Sequence, residues 1–277
     1  MTDRPRYLAV LAEFARNSLV RDMTFRWNFI IDCVSSLSWV LMQLGFYLII
    51  FEQIGRGQIG GDTGWGRWEF FVFLSTTLFI NSVVQAFFMP NMSELSELVR
   101  TGQLDFALLR PIDAQFLVSL RKIEWSSLAN FAFAGVLLVV ALGRLGYRPT
   151  VAQFVLYAVF IACGIAMLYS LMIALGSISV WLGRNESLYD FWFYITNFAR
   201  YPMEIYDGRV GTPLRHVFTF AVPILLVVNV PARIMAWPLE SQDWRLSAYA
   251  VAAAGASFYV SRRLFYRALE SYRSGGG

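Results

Sequence analysis

NMSELSELVRTGQLDFALLRP, residues 91–111, interrupts a chain that is otherwise a succession of apolar runs. Glu94, Glu97, Arg100, Asp105 and Arg110 make this stretch too polar to cross hydrocarbon, so it lies outside the membrane while its neighbours cross. Asn91 is a favourable N-cap, with Glu94 three positions on as in a capping box, and Gly102 suits the left-handed residue that ends a helix. A helix is expected from Met92 to Thr101. A second runs from Leu104 to Leu109 and stops before Pro111, because the residue preceding proline is pushed out of the helical region. Leu95, Leu98, Val99, Leu104, Leu108 and Leu109 give these helices an apolar side.

The run RTGQLDFALLRP, Arg100 to Pro111, resembles the G-x-L-D-x-x-L-L-R-P signature of the ABC-2 type permeases, in the branch of six-span subunits. Residue-level likeness is confined mainly to this loop, and the hydropathy layout extends it over nearly the whole chain. The resemblance implies that the loop between the second and third spans is a coupling helix that docks on a cytoplasmic nucleotide-binding ATPase subunit. The docking residues it implies are Glu94, Glu97, Arg100, Gly102, Leu104, Asp105, Leu108, Leu109, Arg110 and Pro111. It further implies two ATPase copies, which bind the ATP and Mg, and a second permease, identical or homologous. Read without the resemblance, Gly102 and Pro111 shape a tight turn and Arg110 anchors at headgroups.

Composition supports a membrane protein. Hydrophobic residues make up 57% before Gly is counted, above the roughly 45–50% of soluble domains with Gly included. Charged residues, at 15%, gather between the apolar runs. The aromatic share fits interfacial belts of Trp and Tyr. The net charge of +4 rests on 22 Arg and one Lys, too scattered for a nucleic-acid footprint, so membrane lipids are the expected anionic neighbour. Cys33 and Cys163 both fall inside apolar runs and read as packing residues.

Residues 1–26 read as an amphipathic interfacial helix with a basic face, and residues 27–277 as the transmembrane domain. A first span is expected from Trp27 to Ile54, where 19 uncharged residues separate Asp32 from Glu52. The loop 55–67 is Gly-rich. A second span runs from Trp68 to Met89, ending at Pro90, and a third from Phe116 to Leu142. Between Arg148 and Arg184 no charge appears over 35 residues, too many for one bilayer crossing, so this fourth helix overhangs or breaks. Ala158, Ala162, Ala166, Ser170 and Ala174 form a small-residue stripe along it. Residues 187–205 form a fifth, aromatic span interrupted by Asp190 and Arg200. Pro213 to Pro238, with Pro223 and Pro231 inside and only 17 uncharged residues between Arg215 and Arg233, is expected as a re-entrant pair of half-helices. The last span runs from Trp244 to Phe265. The expected fold is thus an all-α membrane protein of six transmembrane helices, with an interfacial helix, a cytoplasmic coupling helix and a re-entrant hairpin. With the termini inside, 14 of the 23 basic residues fall on the side of the coupling stretch, which places that stretch and both termini in the cytoplasm of the inner (plasma) membrane.

The only Lys is Lys122, so the chain holds no G-x-x-x-x-G-K-[ST] phosphate loop and supplies no ATP site. One His216 and two separated cysteines cannot build the usual metal sets, so neither a metal, a cofactor nor a catalytic residue is expected. Gln43, Asn81, Gln85 and Asn130 are the notable polar residues within spans, as a substrate route or as interhelical hydrogen bonds. The expected function is the permease subunit of an ATP-driven exporter. The alternative is a gradient-driven secondary transporter or channel, which calls for broken helices in both halves and ionisable groups at mid-membrane.

Overall fold

The computed structural model of the chain describes residues 6–54, 63–182 and 186–272. Those residues are predominantly helical and hold no strand. In order they form α1 (Tyr7–Thr24), α2 (Arg26–Ile54), α3 (Arg67–Phe87), α4 (Met89–Arg100), α5 (Leu104–Leu108), α6 (Ala114–Leu120) and α7 (Leu128–Leu145). There follow α8 (Val151–Leu182), α9 (Glu186–Asn197), α10 (Gly211–His216), α11 (Ile224–Ala236) and α12 (Trp244–Ser271).

Among the described residues four helices are long and apolar enough to cross a membrane: α2, α3, α7 with the turn before it, and α8. A fifth candidate is the pair formed by α10 with its π-helical extension Val217–Ala221 and by α11, which meet at 87°. The count of six full spans is not confirmed by this measure. The helix α9 has only 12 residues, and α12, though 28 residues long, is rich in Ala, Ser and Tyr and falls short in apolarity.

The core is built on α3 and α8. Of the four apolar spans α3 is the most buried and α2 the least, so α3 sits at the centre and α2 lies at the rim. Hydroxyl groups on α3 bind its neighbours: Ser75 donates to the Ala134 carbonyl of α7 (2.8 Å), and Thr76 shares a bond with the Tyr157 hydroxyl of α8 (2.9 Å). With no water in hydrocarbon, such groups find partners across helices. On α8 the tight approaches come from glycines outside the small-residue stripe, in which Ala158 and Ala162 are exposed. Pro231, inside α11, has no N–H for the Val227 carbonyl four residues back. Gly164 of α8 packs against that carbonyl so closely that a β-carbon there would sit 2.6 Å from it.

Contacts along the chain fix which ends lie together. At one end, the Trp65 indole donates to Glu204 (2.7 Å), Glu204 pairs with Arg233, and Trp65 stacks edge-on against Trp237. Glu204 precedes the bent pair and Trp237 follows it, so the pair leaves this end and returns to it. The expected break at Pro213–Pro238 is therefore present, with Pro223 capping α11. At the opposite end lie residues 88–124, the N-terminal helix and the C-terminal half of α12.

One boundary differs from expectation, and one open alternative is decided. The third span does not start at Phe116: α6 ends at Leu120, residues 121–124 are non-helical, and the spanning piece begins at Trp125. Arg121, Lys122 and Glu124 supply the reason, because three charges within about one turn are costly to insert in hydrocarbon. The overlong fourth helix is continuous over 32 residues, about 48 Å, and its C-terminal turns extend beside α4. Of the Gly-rich loop, residues 55–62 lie outside the described residues, as does the side chain of Asp190.

Substituting Gly164 by Ala should destabilise the α8–α11 contact by about 1–3 kcal/mol, since the added methyl meets a backbone carbonyl that cannot move aside. Gly143→Ala on α7, where a β-carbon meets nothing within 4 Å, serves as the control. Thermal unfolding in detergent should separate the two, with only the Gly164 variant melting earlier.

Candidate functional site

Residues 88–124 form a closed excursion from the helical bundle, and its feet are pinned together. Asn91 is not the helix cap expected of it. The helix α4 begins two residues earlier, with Pro90 in its first turn, where proline is tolerated because its missing N–H has no partner to lose. The Asn91 amide is buried inside that turn. Its Nδ2 donates to the Phe87 and Lys122 carbonyls (both 2.8 Å), and its Oδ1 accepts from the Lys122 N–H (2.8 Å). Beside it the Glu124 N–H donates to the Ala86 carbonyl (2.9 Å). Glu94, expected to close a capping box, turns instead to Arg121 (3.3 Å) and Lys122.

The two-helix shape stands. Gly102 adopts φ +71°, ends the first helix by donating to Val99, and starts the second by accepting from Asp105. The apolar side, however, divides into two. Leu95, Leu98 and Leu104 are buried against the chain's own bundle, Leu95 fitting over Gly176 of α8, whose absent side chain leaves it room. Leu108 and Leu109 face outward with Phe106, which is 70% exposed, and Leu109 is 81% exposed. Arg110 and Pro111 are exposed next to them, and Glu97 is exposed on α4. The Arg100 side chain lies outside the described residues. A groove of about 300 Å³ opens between Phe106, Gln103, Arg110 and Glu94. Phe106 was missed in sequence because it falls off the leucine period, and a lone aromatic in a polar loop carries no periodic signal.

Asp105 lies in the first turn of α5 without capping it. Its carboxylate faces the Tyr272 hydroxyl at the end of α12; burial raises that hydroxyl's pKa and the carboxylate adds to the rise. Asp113, two residues past Pro111, caps α6 through the Phe116 N–H (2.9 Å). It also receives Arg262 (2.6 Å) and the Tyr266 hydroxyl (2.9 Å), both from α12. Burial pushes the Asp113 carboxyl up, but the bonds from Arg262, the Phe116 N–H and Tyr266 outweigh it and hold the pKa below its usual value. The cluster is thus favoured above the ordinary carboxylate range and lost as pH falls through the lowered pKa. Neither Asp113 nor its α12 partners stood out in sequence, since they are about 150 residues apart.

The helix α1 docks on the same foot. Ser18 accepts from the Ile123 N–H (3.0 Å), and the Trp125 indole donates to the Ala15 carbonyl (3.3 Å). Leu8, Val20 and Met23 remain exposed along α1, the apolar face of an interfacial helix. A cavity of about 540 Å³ between α1, α2 and α4 gathers Asp22, Asp32 and Glu124 with Arg21 and Lys122. Burial raises the Glu124 pKa, and the nearby carboxylates of Asp32 and Asp22 add to it.

The four candidate route residues are not brought together. Asn130 donates to Ser36 of α2 and so bonds two helices. Gln43 faces the Tyr47 hydroxyl on α2. Asn81 and Gln85 share one face of α3, and Gln85 is exposed although most of that helix is buried. No group of three or more potential metal ligands occurs among the described residues.

A family model described as "ABC-2 family transporter protein" matches residues 37–276. No curated protein and no solved structure matches the chain.

Gly102→Val should strain the elbow by about 1–2 kcal/mol, because a β-branched residue fits poorly at positive φ even though the space around it is open. Local opening then rises about five- to thirtyfold. Limited proteolysis should show faster cleavage within 100–111 for this variant, and a smaller change for Gly102→Asn.

Proposed function

The chain belongs to the ABC-2 transporter family, a membrane-embedded permease of the ATP-binding cassette class, and from that premise we propose that it moves its substrate outward using ATP hydrolysed by a separate nucleotide-binding subunit. The observation that carries this reading is the exposed set Phe106, Leu108, Leu109 and Arg110, held on a rigid excursion beside both described ends of the chain. Exposed apolar residues rimmed by charge mark a protein contact, and here the occupant is the ATPase subunit. Two such subunits and a second permease, identical or homologous, complete the assembly. The permease supplies no ATP site, cofactor or catalytic group of its own; ATP and Mg belong to the partner. The docking end, with both termini, faces the cytoplasm of the inner membrane, in keeping with the basic bias of that side.

Closing of the nucleotide-binding subunits on ATP would press the two excursions as levers and rock the permeases against each other. Asn81 and Gln85 are the candidates for a route, being polar groups left open on the central helix. The gradient-driven alternative is weaker, because among the described residues only one bent pair occurs.

Affinity purification of the full chain from native membranes should bring down a nucleotide-binding subunit in comparable amount, with vanadate-sensitive ATP hydrolysis. Purification of the chain alone, active in a gradient-driven assay, would overturn the reading. In a Cys33→Ser, Cys163→Ser background, a cysteine at Val210 should react with a membrane-impermeant reagent on intact cells, and one at Leu109 only after permeabilisation. Arg110→Lys should lower ATPase co-purification more than Asp105→Asn, because the exposed guanidinium fork offers paired hydrogen bonds that an ammonium cannot. A greater loss for Asp105→Asn would move the docking contact to that residue.

A further inference from the structure

One unbroken helix, α12, is bonded at two levels to two different parts of the molecule. Near its C-terminal end Arg262 and Tyr266 hold Asp113, at the exit of the docking excursion. Thirteen residues earlier, about 20 Å along the helix, the Tyr249 hydroxyl donates to the Phe220 carbonyl (2.8 Å). Phe220 lies in the π-helical turn that precedes the 87° break between α10 and α11. We propose that α12 is the rod that carries motion of the docking excursion to the bent pair, with Asp113–Arg262 as its inner joint and Tyr249–Phe220 as its outer joint.

This rests on the permease reading and adds the residues through which it works. A joint must transmit force without being part of a seamless core, and the inner contact has that form. A cavity of about 530 Å³ lies between α6, α8 and α12, so α6 is tied to the other two by polar bonds around an open space. Besides the Asp113 cluster, Arg262 donates to the Gln115 side chain (3.2 Å), Gln115 donates to the Tyr169 hydroxyl (2.9 Å), and Ser119 shares a bond with that same hydroxyl (2.8 Å). Tyr169 belongs to α8. Ala250, Ala253 and Ala254 are buried on α12, and the helix packs closely along α8. The outer contact also has the form of a joint. A π turn has poorer hydrogen-bond geometry than an α turn and is often found at functional sites. Here it adjoins Val222 and Pro223, where the helical ladder is already broken. The bent pair is the element whose helical ladder is interrupted, and among the described residues α12 is the helix bonded to both that element and Asp113.

The test uses the full complex of the chain with its ATPase in nanodiscs, carrying spin labels at Val151 and Val210 in the Cys33→Ser, Cys163→Ser background. Both positions are exposed at the end remote from the docking excursion. The wild type should show a change in label separation between the nucleotide-free state and ATP with vanadate. Asp113→Asn keeps the helix cap and removes the charge, and should abolish the change while leaving ATPase binding and basal hydrolysis in place. Tyr249→Phe should do the same. Arg262→Lys, which keeps the charge pair, should retain the change. Coupling between nucleotide and the outer end should fall about fivefold or more in the first two variants. A wild-type change that persists in both Asp113→Asn and Tyr249→Phe overturns the rod, as does the absence of any change in a wild-type complex that hydrolyses ATP. Failure of the wild type to bind an ATPase subunit is a separate result and removes the permease reading itself.

Discussion

The clasp that Asn91 makes with Lys122 is the constraint on which the excursion depends. A polypeptide that leaves a helical bundle for the 37 residues 88–124 must return to the point where it left, or the spans on either side lose their register. One buried amide does this by pairing with both the N–H and the carbonyl of residue 122, while its second N–H holds the carbonyl of Phe87. The two feet thereby become one support. Glu94 with Arg121 and Lys122 adds charge to the same place, and α1 seals it through Ser18 and Trp125. Phe106 and Leu109 are thus carried on a support bonded to the bundle at several points.

Much of this arrangement was legible in sequence, for reasons that differ by element. The spans α2, α3 and α8 follow from uncharged runs, since hydrocarbon admits few alternatives. Gly102 and the bent pair follow from backbone chemistry, a positive φ in one case and two prolines in the other. What sequence did not reveal is which polar atom meets which. Asn91 reads equally as a cap or as an interior amide; only the backbone of residue 122, 31 positions away, decides between them. The leucines of the excursion carry one period, yet Gly176 of α8 determines that Leu95 faces inward, while Leu109 stays out. The site residues expected from the motif are therefore split between a buried set and an exposed set.

Proline and glycine act as a pair where α8 meets α11. Pro231 leaves the Val227 carbonyl without its helical donor, and an unsatisfied carbonyl in an apolar setting is costly. Gly164 brings a bare α-carbon against it, a contact of the weak C–H to oxygen kind, and closes the gap at which water would otherwise be needed. The same contact anchors the inner half of the bent pair to the central helices. Its outer flank is anchored by Glu204, Arg233 and Trp65, and the Asn229 side chain accepts from the Met203 N–H (2.9 Å). The half formed by α10 and the π turn is tied by Tyr249 from α12, by Phe198 stacked on Phe218, and by the pairing of Arg215 with Asp207 just before it.

The helix α12 falls short in apolarity where α2, α3, α7 and α8 do not. A helix facing lipid gains from large apolar side chains, as α2 shows with Trp39, Leu41, Phe46 and Ile49 exposed along its length. A helix that packs closely along a neighbour is better served by small residues, which let the two backbones approach. The Ala-rich face of α12 against α8 suits the second task, and its polar residues lie where they join other elements: Tyr249 near one end, Arg262 and Tyr266 near the other. Hydropathy alone would discount this helix as a span. Its buried face is made of small residues against α8, while Val251, Phe258, Tyr259 and Val260 remain exposed along it.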